Sequence, residues 1–104
     1  MAKAPRVLLL TDPVMAGHRP PGHAERPERL EAAAGGVADG AAASGATLHR
    51  AKIVPADRVA LARVHPEPYL DLLDNAALQG GGWIDPDTYL GPESMMAARV
   101  AAGA

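Results

Sequence analysis

A chain of 104 residues holds one domain or less, and a hydrophobic fraction of 48% argues against disorder. With Phe 0, Trp 1 and Tyr 2 the apolar content is largely alanine, so any self-standing core is thin. Against 12 Asp and Glu, the 10 Lys and Arg are scattered and give a net charge of -2 with no basic stripe for nucleic acid, while Cys 0 excludes disulfide scaffolds, thiolate zinc sites and thiol nucleophiles. Val7 to Leu10 is a continuous apolar run closed by Asp12-Pro13, which predicts a strand buried on both faces, as in a parallel sheet. The run is too short for a signal-peptide core or a membrane span, so the chain is expected in the cytoplasm. A Gly- and Pro-rich loop follows to about Arg26.

Pro27 suits a first helical position, and Leu30, Ala33, Ala34, Val37, Ala38 and Ala41 recur behind it at helical spacing. Gly35 and Gly36 each weaken that helix by about 1 kcal/mol relative to alanine, so it needs tertiary packing. Thr47 to Val54 carries the β-branched residues of a second strand, and strand-helix-strand order implies a right-handed parallel crossover. Asp57 is placed to cap a short helix through Val64. "EPYLDLLDNAALQGGG" opens a third helix at Pro68, sets Tyr69, Leu72, Leu73 and Ala76 on one face and stops at its glycines. Trp83 to Leu90 is expected to be a loop, and Pro92-Glu93 starts a helix that passes through Val100 and runs off the end of the chain. Two predicted strands are too few for an α/β layer, so the chain resembles the beginning of a larger domain.

Local chemistry is sparse. His18 and His23 in the loop, with Asp85 and Asp87 in "DPD", are the residue types that hold zinc, yet their spacing matches no compact ligand pair, and capping or solvated roles account for them. Ser44 and Ser94 lie outside any G-x-S-x-G, and Ser94 at a helix start is explained by local backbone bonding. Gly80 to Gly82 lacks the Lys-Ser/Thr of a phosphate loop. Asp85 and Asp87 are ordinary turn formers.

Three blocks, "HRPPGHAERPERLEA" (His18 to Ala32), "VHPEPYLDLL" (Val64 to Leu73) and "DPDTYLGPESMMAARVAAGA" (Asp85 to Ala104), resemble in that order the N-terminal part of the histone deacetylase superfamily, which includes acetylpolyamine amidohydrolases and acetoin-utilisation proteins. The resemblance implies an α/β, arginase/deacetylase-like three-layer fold with a central parallel sheet, of which residues 1–104 are an incomplete N-terminal piece. It also implies a zinc ion as cofactor, held by two aspartates and a histidine, and hydrolysis of acetylated lysine or a related acetylated amine. By the same resemblance the first loop shapes the pocket without supplying metal ligands. Arg29 matches an arginine near the channel behind the metal, with a surface ion pair to Glu25 or Glu28 as the alternative. His23 matches a loop histidine of many bacterial members, with a structural hydrogen-bonding role as the alternative to substrate contact, and Asp87 falls where some relatives place a rim aspartate that holds the substrate backbone.

Tandem histidines and an Asp-x-His pair, which that family uses for proton transfer and metal binding, do not occur in this sequence. No catalytic residue and no metal ligand is therefore assigned here, and the chain alone is expected not to turn over acetylated substrate. Its expected partner is a complementing C-terminal deacetylase segment, with neither nucleic acid nor membrane. A non-enzymatic interaction module and a remnant of an interrupted gene are the alternatives.

Overall fold

The computed structural model describes residues 3–104. The first apolar run forms strand β1, Arg6–Leu9, which lies parallel to β2, Thr47–Arg50, with Val7 against Leu48 and Leu8 against His49. Helix α1, Glu28–Ser44, makes the crossover between them. Pro27 stands at its N-cap, Glu28 and Glu31 place negative charge in its first turn, and Gly45 ends it in the left-handed conformation at φ 74°, which spares a side chain the steric penalty. This is the predicted strand-helix-strand unit.

Two parts of that prediction change. Leu8 is 61% exposed, so β1 is not covered on both faces by the described residues, and β2 ends at Arg50 because the chain leaves the sheet before burying Ile53. On α1 the inward row is Leu30, Ala34, Ala38 and Ala41, whereas Ala33 and Val37 face outward. The apolar stripe is wider than the surface available to cover it, which periodicity cannot reveal. Gly36 has open space where a Cβ would stand. Gly36→Ala is expected to stabilise the chain by about 1 kcal/mol, read as a higher urea midpoint followed by circular dichroism.

Asp57 caps α2, Arg58–Ala62, by accepting from the Ala60 N–H at 2.8 Å, as its position predicts. Arg58 then reaches across to α3, Glu67–Leu78. Its guanidinium donates to Glu67 at 2.9 Å, Asp71 at 2.6 Å and Asp74 at 3.0 Å, and Glu67 first, then Asp71, raise its pKa further above the ordinary value. The buried residue of α3 is Leu70, at 3% exposure, while Leu72 points to solvent and Tyr69 is half-exposed with its ring beside His65. Leu73, Ala76 and Ala77 complete the inward row, so the predicted face keeps Leu73 and Ala76 and turns from Leu72 to Leu70.

Trp83 to Leu90 is not a loop. It is a hairpin of β3, Gly82–Asp85, and β4, Thr88–Leu90, antiparallel with Trp83 opposite Tyr89. The Trp83 and Tyr89 rings pack with centroids 5.2 Å apart, and the Asp87 N–H donates to Asp85 Oδ1 at 2.8 Å across the turn. The sequence shows that turn but has too few alternating residues to declare the strands. Helix α4, Ser94–Gly103, packs on the short 3-10 turn Pro13–Gly17 that follows β1, and buries Ser94, Ala97 and Val100. The radius of gyration is 16.7 Å, against about 13 Å for a compact domain of this length.

Candidate functional site

The first loop, the hairpin turn and the start of α4 meet at one corner. His23 and Asp87, 64 residues apart, form a 2.6 Å contact in which the His23 Nε2–H donates to Asp87 Oδ1. The Glu25 backbone N–H donates to His23 Nδ1 at 3.0 Å, which fixes that tautomer when the ring is neutral. Trp83 stacks beside His23 with centroids 5.9 Å apart. The Asp87 side chain is 87% exposed, so its carboxylate remains open to an approaching donor. Asp85 next to it is held below the ordinary carboxylate value of 3.8 by the Asp87 N–H first and the Thr88 hydroxyl second.

A second chain of bonds lies behind the first. His18 Nδ1 is 2.7 Å from Ser94 Oγ, and His18 Nε2 is 3.1 Å from Glu25 Oε2. Ser94 Oγ also accepts from the Gly91 N–H at 2.7 Å. A groove of about 490 Å³ runs between His18, His23, Glu25, Asp87, Thr88 and Tyr89. Adjoining it, a cavity of about 410 Å³ is walled by apolar side chains of α3, α4 and the hairpin together with His18, Glu25, Thr88 and Ser94.

Of the residues expected at the site, His23 and Asp87 are brought together and Arg29 is not. Arg29 is exposed in the first turn of α1, lines neither cavity, and makes no ion pair with Glu25 or Glu28 among the described residues. His18, Glu25, Tyr89 and Ser94 were not assigned from the sequence. Ser94 in particular, the first residue of α4, does not cap its helix with its side chain; its hydroxyl instead meets the Gly91 N–H and His18, 76 residues away. No group of three His, Asp or Glu side chains fit to hold a metal ion is found among the described residues. His18, His23, Asp85 and Asp87 therefore do not assemble into a zinc site, and no chemistry through zinc is derived for them. Among the described residues no helix is long and apolar enough to cross a membrane.

No protein-family model matches the chain. A probable deacetylase of Methanothermobacter thermautotrophicus is 48% identical over 40 residues, which are 38% of this chain and 12% of that protein. The solved HD domain of HDA15 superposes over 97% of this chain with a TM-score of 0.77 and 25% identity. The chain spans 30% of the length of that solved chain. The parallel pair with its helical crossover is thus part of an arginase/deacetylase fold, and the local sequence match and the backbone match both support the histone deacetylase superfamily.

Proposed function

We propose that residues 1–104 are the N-terminal portion of a zinc-dependent deacetylase domain that hydrolyses N-acetyl-lysine or a related N-acyl amine, in the cytoplasm of a bacterium. The backbone match over 97% of the chain to a deacetylase HD domain carries this reading. It is supported by the large radius of gyration and by the exposure of Leu8, Leu72 and Leu78, surfaces that a completed sheet and helix layer would cover. Zinc in this family supplies Lewis-acid activation of water and carbonyl; its ligands would come from a complementing C-terminal segment. This chain contributes the rim. His23 aims the Asp87 carboxylate, which accepts an N–H of the bound substrate and so positions the acyl group, and Arg29, in the first turn of α1, is assigned to the channel behind the metal that the complementing segment would complete.

Co-expression with the C-terminal remainder of a deacetylase, carrying the His-His and Asp-x-His motifs, tests this. Hydrolysis of an acetyl-lysine peptide is expected from the pair, with neither half active alone, and Asp87→Ala is expected to lower it about tenfold. A soluble chain that unfolds cooperatively and yields no activity on complementation would instead favour an independent interaction module.

A further inference from the structure

The Ser94, His18 and Glu25 side chains are arranged in the order of a nucleophile, a base and an orienting carboxylate. Glu25 accepts only, so a neutral His18 must present its proton on Nε2 and its lone pair on Nδ1. The Ser94 hydroxyl hydrogen is directed to that lone pair, because the other side of Oγ is occupied by the Gly91 N–H. Each link has hydrogen-bonding length, and the set joins the first loop, which holds His18 and Glu25, to the start of α4, 76 residues from His18. Such triads are identified by geometry and role, not by chain order.

The surroundings fit the same chemistry. Ser94 is 5% exposed to bulk water, yet both it and His18 line the cavity of about 410 Å³. Its other walls include Met15, Leu73, Ile84, Leu90 and Met95, so the space takes a short apolar acyl group. Ser94 opens α4, and the first-turn N–H groups of Met95 and Met96 beside it have no intrahelical acceptor to satisfy. Groups of that kind stabilise an oxyanion when they point at it.

We propose that Ser94, His18 and Glu25 form a metal-independent esterase site for short-chain carboxylic esters. Ser94 Oγ bonds to the acyl carbon as its proton passes to His18 Nδ1; the C–O bond to the alcohol breaks, and the departing oxygen takes that proton from His18. Water then attacks the acyl-serine, losing a proton to His18, and the carboxylic acid leaves as Ser94 recovers its hydrogen. Ester and water become acid and alcohol with no other reactant. The site owes nothing to zinc, so it stands or falls apart from the deacetylase reading.

A fluorophosphonate probe on the full native chain in EDTA is the direct test. Ser94 Oγ is expected to displace fluoride and gain one phosphonyl group, mapped by peptide mass spectrometry, while Ser44, the other serine, and urea-unfolded chain stay unmodified. p-Nitrophenyl butyrate hydrolysis in EDTA is expected to fall roughly 100-fold or more in Ser94→Ala and His18→Gln, and less in Glu25→Gln, each checked by circular dichroism. Native chain left unmodified at Ser94, or ester hydrolysis that persists in Ser94→Ala, would overturn the proposal and leave the triad a structural tie. The wild-type labelling result decides even where a variant fails to fold.

Discussion

Gly103→Ala is expected to destabilise the chain by about 3 kcal/mol. A Cβ at this position would overlap the Val54 carbonyl oxygen and stand 3.0 Å from the Ala56 nitrogen. Both obstacles are backbone, so no rotamer change clears them. The segment cannot easily retreat either, because the Ala56 N–H donates to the Arg99 carbonyl at 2.9 Å and Ile53 is buried at 5% exposure nearby in the chain. Urea unfolding followed by circular dichroism would measure the loss. A change within about 0.5 kcal/mol would mean that residues 51–57 yield freely and are not held against α4.

Leu70→Ala should cost about as much, roughly 3 kcal/mol, because the side chain is 3% exposed in a chain that has few large apolar residues to close over a void. Leu72, two positions on, is 54% exposed, and Leu72→Ala should cost below about 1 kcal/mol. The same denaturation series separates them. A larger loss at Leu72 than at Leu70 would place the buried face of α3 where its spacing alone predicts it.

The elements legible in the sequence were those fixed by near neighbours. Asp57 caps Ala60 three residues on, and an apolar run marks β1 whatever lies around it. Which face of a helix is buried is a different matter. Val37 and Leu72 have the right period and the wrong side, since the choice depends on what packs there. The hairpin escaped notice because its alternation is short, and its cross-strand aromatic pair has meaning only once the strands are paired. The site was half legible. Resemblance pointed to His23 and Asp87, but nothing local could couple His18 to Ser94, and Arg29 stands apart from both pairs.

The separation of His18 from Ser94 bears on how the molecule assembles. Closing a flexible loop costs about 0.6 kcal/mol more for each doubling of its length, and the contact spans 76 residues, nearly twice the separation of Val7 from Leu48 in the parallel pair. The β1-α1-β2 unit is complete at Arg50, so it can form while the rest of the chain is still being made. During synthesis the loop after β1 must then wait in water, its histidines solvated. Only when α4 leaves the ribosome do Ser94 and the apolar floor arrive together, so this corner sets after the strand-helix-strand unit.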